Sequence, residues 1–152
     1  MRITLFILLA LLSCDRIKDA PYSIQDLASC YRDQSFTNEN LTSKLLDRWA
    51  WKFVMCGGCE GYASDTEEKR LEIELGQENL LEIYRAGNLI YQGEWRLEPS
   101  FQNGYFRLIM DPFYAIGPHV GLHGDIIICD NDLLFFGSAT DGFDNFFQRI
   151  VL

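Results

Sequence analysis

The chain has 152 residues, and 22 acidic against 13 basic side chains give it a net charge of −9 at neutral pH. That balance excludes nucleic-acid binding as its main task, because a phosphate backbone demands a positive surface. It also argues against the domain lying flat on anionic lipid. The length suits one domain, and 11 Phe, 7 Tyr and 3 Trp supply enough aromatic volume for a sizeable core or the lining of a cavity.

The chain opens with Met1-Arg2, an apolar run from Ile3 to Leu12, and Ser13-Cys14. One positive charge, an apolar stretch and a small residue before a break form the pattern of a secretory signal peptide. The run falls short of the roughly 20 apolar residues needed to span a bilayer. It has no polar face, and Asp15 to Asp19 end it abruptly, so a core helix fits poorly. Leu11-Leu12-Ser13-Cys14 resembles the lipobox of bacterial lipoproteins. The resemblance implies removal of residues 1–13, a lipid on Cys14 as the new N-terminus, and a polar tether over 14–22. Two or more acyl chains on one residue anchor stably, where a single chain binds only marginally. The implied location is the cell envelope, on the periplasmic or surface-exposed side of a bacterial membrane.

A domain is expected over residues 23–152. Ser23 to Tyr31 predicts a short helix with Ser23 as N-cap, Asp26 at the capping-box position, and Ile24, Leu27, Ala28 and Tyr31 at helical spacing. A polar connector follows from Arg32 to Asn40. The pattern then turns to strands. Leu46 to Val54 alternates so as to place Trp49, Trp51 and Phe53 on one face, with Arg48 and Lys52 on the other. Further strands are expected at Leu71–Leu75, Asn79–Tyr84, Leu89–Leu97, Tyr105–Met110, Asp125–Cys129, Leu133–Gly137 and Asn145–Val151, with hairpin turns at Ala86-Gly87-Asn88, Asp130-Asn131-Asp132 and Asp141-Gly142. Asp111 to Gly124 reads as a long irregular loop. About eight strands joined by short turns, with no long helix between them, predict an all-β protein: an antiparallel up-and-down barrel with a short N-terminal helix.

Once Cys14 is assigned to lipid, Cys30, Cys56, Cys59 and Cys129 remain. An even number in an exported chain favours disulfides. Four cysteines allow three pairings, of which Cys56–Cys59 with Cys30–Cys129 is preferred. The second bridge would tie the N-terminal segment to a late strand.

Trp49-Ala50-Trp51, Gly57-Gly58, the stretch from Tyr84 to Leu97 with its Gly87-Asn88 turn, Cys129-Asp130-Asn131 and Phe147-Gln148-Arg149 together resemble the lipocalin-like lipoproteins of Bacteroidetes-type bacteria, from about Leu45 onward. Lipocalins start their first strand with Gly-x-Trp and pack a basic residue of the last strand over that tryptophan. Trp49 and Arg149 match these two roles, and the resemblance implies that they stack at the closed end of the barrel. Asp47 stands where the signature has Gly. The resemblance further implies a cup able to hold one small ligand.

No residue set nominates a catalytic centre. Cys56-Gly57-Gly58-Cys59 has the spacing of a thiol redox pair, but Glu60-Gly61 follows where a helix would be required, and a nearby carboxylate would raise the thiol pKa. His119 and His123 sit among Pro118, Gly121 and Gly124, which suits a loop better than a metal-binding helix face. No nucleophile elbow, P-loop or dinucleotide fingerprint is present. The expectation is therefore a non-enzymatic, lipid-anchored domain without cofactor or metal. It would bind a small apolar or amphipathic ligand, with Trp51, Tyr84, Trp95 and Phe106 as candidates to line the site. One alternative is an envelope interaction or assembly protein with a solid barrel, docking a partner through the 111–124 loop with Phe113 and Tyr114. The other is a thiol redox protein using Cys56 and Cys59.

Overall fold

The structure is a computed structural model and describes residues 24–56, 63–64, 70–102, 104–116, 120–137 and 143–151. Cys14, the signal and tether segments, Ser23, Gly57-Gly58, Cys59, His119 and Asp141-Gly142 lie outside the described residues.

Two short helices precede the sheet. Helix α1 (Ile24–Asp33) buries Leu27 and Tyr31, four residues apart and so on one face. Helix α2 (Asn38–Leu45) falls partly in the expected polar connector. It starts in a reciprocal cap, with the Asn40 amide donating to Thr37 Oγ1 at 3.3 Å and the Thr37 amide donating to Asn40 Oδ1 at 2.7 Å. Its Leu41 and Leu45 are fully buried.

The strands are β1 (Asp47–Cys56), β2 (Ala63–Ser64), β3 (Leu71–Leu75), β4 (Leu80–Arg85), β5 (Asn88–Pro99), β6 (Phe106–Asp111), β7 (Asp125–Cys129), β8 (Asp132–Phe136) and β9 (Phe143–Arg149). Each pairs antiparallel with the next from β3 onward. β1 pairs with β3 on one edge and β9 on the other, so β1 and β3–β9 close an eight-stranded up-and-down barrel of lipocalin-like form. Closure leaves the long strands without a free outer edge except where pairing is incomplete. That happens between β6 and β7, which share the single pair Arg107↔Asp125 among the described residues.

Alternation sets the two faces. In β3, Leu71, Ile73 and Leu75 point inward and Glu72 and Glu74 outward. On β1, Trp49 pairs with Ile73 and Trp51 with Phe147, both inside. The register then shifts between Trp51 and Phe53, where a bulge inserts Lys52. Phe53 therefore pairs with Phe146 on the outer face and stacks on it at 4.7 Å, instead of sharing a face with Trp49 and Trp51 as expected.

Strands β7 to β9 read as continuous apolar runs because residues of both faces are buried there. Ile126, Leu133, Phe135 and Phe147 fill the inside, while Ile127, Leu134 and Phe146 are buried on the outside. Helix α1 packs across β7 and is bonded to it by the disulfide Cys30–Cys129. The β4–β5 hairpin turns through Ala86 and Gly87, both at positive φ (50° and 78°), the geometry of a type I′ turn.

Candidate functional site

At the end of the barrel where β1 begins, the Arg149 guanidinium lies 4.7 Å over the Trp49 ring. One Nη donates to Asp47 Oδ2 and the other to the Lys44 carbonyl, both at 2.9 Å. The Trp49 indole donates to the Leu45 carbonyl at 3.0 Å. Helix α2, the start of β1 and the end of β9 are thus tied at one point. Asp47 supplies the carboxylate that holds the arginine. A partly exposed ion pair adds little net stability, so with this many partners it serves mainly to fix geometry.

Above this knot the interior is occupied by the chain's own side chains. Trp51 is 4 % exposed, and its indole donates to Asn145 Oδ1 at 3.1 Å. Asn145 is fully buried and faces inward from β9. Phe135 and Phe147 meet edge to face at 5.6 Å. Trp95 and Leu97 of β5 pair with Met110 and Leu108 of β6, and Phe106 pairs with Pro99, all on the inner side. Of the four candidate lining residues, Trp51, Trp95 and Phe106 point into the barrel, where Trp51 and Trp95 form core.

Tyr84 does not. Leu81 and Ile83 are the buried residues of β4, which leaves Tyr84 on the outer face. There its hydroxyl donates to Glu82 at 2.8 Å, and the Arg48 guanidinium lies 4.3 Å over its ring. The hydrogen bond to Glu82 pushes its pKa upward by favouring the protonated phenol. An aromatic on an alternating strand has two faces to choose from, and Tyr84 took the one that Arg48 stacks upon.

The opposite end is covered by the loop between β6 and β7. Ile116 and Leu122 are buried under it at 4 % and 2 % exposure. Three contacts pin the loop to the wall. The Arg85 guanidinium donates to the Ile116 carbonyl at 2.9 Å, the Tyr91 hydroxyl donates to the Pro112 carbonyl at 2.5 Å, and the Tyr91 and Tyr114 rings stack at 4.8 Å. Burial, with Asp111 nearby, raises the Tyr91 pKa and keeps that hydroxyl a donor. Gly124 ends the loop at φ +104°, and a Cβ there would overlap the backbone of Phe136, so only glycine fits.

Three pockets stand out among the described residues. The largest, about 520 Å³, lies on the outer surface of β1 and β3 and is lined by Asp47, Arg48, Arg70 and Glu72 among others. Its Arg48 is committed to Glu72 at 2.7 Å and to the Tyr84 ring. A second, about 410 Å³, sits between α1 and the β7–β8 turn and is mainly acidic and amide in lining. The third, about 370 Å³, opens where β6 parts from β7. Leu108, Ile109 and Met110 of β6 form one wall, and Phe113, Tyr114, Val120, Leu122 and His123 of the loop form the other.

This last pocket is the smallest of the three but the one with the chemistry of a ligand site: apolar walls, two aromatics and a single imidazole. Phe113 stands at its rim, 78 % exposed. None of the four candidate lining residues lines any of these three pockets. The aromatics Phe113 and Tyr114 were legible in the loop, whereas Val120 and Leu122 carry no periodic signal and come into place only through the loop's path.

Of the other candidates, Cys30 and Cys129 are joined to each other. Cys56 ends β1. Among the described residues, no group of three or more His, Cys, Asp or Glu side chains is arranged to hold a metal. Comparison with protein-family models, with curated proteins and with solved structures finds no match for this chain.

Proposed function

We propose that this protein is a bacterial envelope lipoprotein of the lipocalin-like kind, anchored through lipid on Cys14, whose barrel is a binding module rather than an enzyme. Its ligand is a small apolar or amphipathic molecule held between β6 and the 111–124 loop. The pocket there carries the reading. Its volume of about 370 Å³ lies above the ~300 Å³ at which ligand sites begin, and its walls are aliphatic and aromatic. The deep interior, by contrast, is taken up by buried side chains such as Trp51, Phe135 and Phe147.

The test uses the full chain carrying Cys14→Ser, titrated with N-phenylnaphthylamine, whose fluorescence rises in apolar surroundings. Saturable binding is expected, and Val120→Trp, which fills the pocket, should weaken it several-fold. Absence of saturable binding, or binding indifferent to Val120→Trp, counts against the reading. Metabolic labelling with an alkynyl fatty acid checks the anchor, with label expected on the native chain and absent from Cys14→Ser. A second reading, docking of a protein partner through the same loop, is favoured by the exposure of Phe113. It is the one to pursue if no apolar probe binds.

A further inference from the structure

Two of the three tryptophans satisfy their indole N–H: Trp49 through the Leu45 carbonyl and Trp51 through Asn145. The third does not. Trp95 is 2 % exposed, and its Nε1 is buried with no hydrogen-bond partner among the described residues. A buried donor that has lost water and gained nothing is costly, and native interiors retain few of them.

Its position gives it a use. Trp95 pairs directly with Met110 of β6, and both side chains project to the inner face. Residues directly opposite on one face have Cβ atoms about 4.5–5.5 Å apart. Met110, together with Leu108, forms the β6 wall of the pocket that faces Tyr114 and Val120. The unpaired donor therefore belongs to the cross-strand neighbour of a residue that lines the pocket, and that residue, Met110, is an unbranched, flexible thioether that repacks readily.

We propose that the Trp95 N–H is the polar anchor of this pocket, and that the ligand is a neutral, mainly apolar molecule carrying a carbonyl oxygen, as in a ketone, ester or amide. The proposal rests on the binding reading above and names its substrate class. One neutral N–H in apolar surroundings suits a carbonyl. It would not offset the desolvation of a carboxylate. Among the described residues no Lys, Arg, Asp or Glu lines the pocket, and the chain as a whole is strongly acidic, which disfavours an anion there. A pure hydrocarbon would leave the donor as unsatisfied as it already is.

Two probes separate the possibilities on the full Cys14→Ser chain. Prodan carries an apolar naphthalene and a propionyl carbonyl, and its emission moves to longer wavelength when that carbonyl accepts a hydrogen bond. N-phenylnaphthylamine has a similar body and no carbonyl. Trp95→Phe keeps the aromatic volume near that of the indole and removes the donor. The expected result is prodan affinity lower by about 2- to 10-fold, the worth of one hydrogen bond, with N-phenylnaphthylamine affinity unchanged. Prodan bound to the unsubstituted Trp95 protein should emit as a hydrogen-bonded carbonyl, which supports the proposal even if Trp95→Phe folds poorly. Non-hydrogen-bonded emission from that complex overturns the proposal, as does a Trp95→Phe variant that affects both probes equally or neither. In those cases the binding reading survives. If neither probe binds, the binding reading itself falls and takes this proposal with it.

Discussion

The disulfide between Cys30 and Cys129 offers the sharpest test of how this barrel is held. Its two cysteines are 99 residues apart, so the bridge closes a loop that contains helix α2 and most of the barrel. In the chain-entropy model a loop of that length restricts the unfolded chain enough to stabilise the fold by about 4.7 kcal/mol. Helix α1 does not depend on the bridge alone, because Leu27 and Tyr31 are 3 % and 2 % exposed against the barrel. Each such side chain contributes about 1.5–3 kcal/mol of burial. Replacing both cysteines by serine should therefore lower stability by roughly 3–5 kcal/mol without melting the barrel at room temperature. For a domain of this size that corresponds to a fall in Tm of about 10–20 °C.

Urea unfolding followed by tryptophan fluorescence is the assay. The midpoint should drop, and the slope m should rise, because an unfolded chain freed of the crosslink exposes more surface. Added reductant should bring the native protein to the level of the serine variant and leave that variant where it was. A midpoint unchanged by the double substitution would refute the reasoning. A serine variant that reductant destabilises further would show that another pair carries the stabilisation.

Two further outcomes follow from single sites. Burial raises the Tyr31 phenol from 10.0 to about 12, with smaller contributions from Tyr105 and Asp125. Below pH 10 folded and unfolded chains both keep that proton and Tyr31 adds no pH dependence; between pH 10 and about 12 only the unfolded chain ionises, so stability is lost by up to about 3 kcal/mol. Tyr31→Phe should flatten that part of an alkaline urea-midpoint profile at little cost near neutrality, since the hydroxyl has no hydrogen-bond partner among the described residues; a profile as steep as that of the native chain would contradict the assignment. Where β1 begins and β9 ends, Arg149→Met should cost about 2 kcal/mol through the lost stacking on Trp49 and the lost bond to the Lys44 carbonyl. A double-mutant cycle with Asp47→Ala in thermal melts should give a coupling of about 0.5–1 kcal/mol for this partly exposed pair, and additive losses would deny the link.

Much of the barrel is legible in local chemistry. Leu71-Glu72-Ile73-Glu74-Leu75 alternates with period two and does line one face. Gly87 marks a turn that needs positive φ, and the hairpin forms there. Trp49 and Arg149 meet as the resemblance implied, and Cys30 bonds to Cys129. Helix α2 was not legible as a helix because its N-terminus is capped by Thr37 with Asn40, not with the Glu or Gln that marks a capping box.

What the tertiary structure alone decided is which face became the inside and where pairing stops. Alternation distinguishes two faces of a strand without saying which one meets the core. Phe53 changed face at the β1 bulge, which exists only in the register with β9. Tyr84 went outward because Leu81 and Ile83 fill its neighbours' places within. The pocket beside β6 arises because the ladder to β7 ends after a single pair and the loop folds into the gap. Local sequence carries turns, caps and periodicity, because these depend on residues a few positions apart. Register, bulges and gaps in a barrel depend on contacts between strands distant in the chain, and those contacts are settled only when the whole sheet closes.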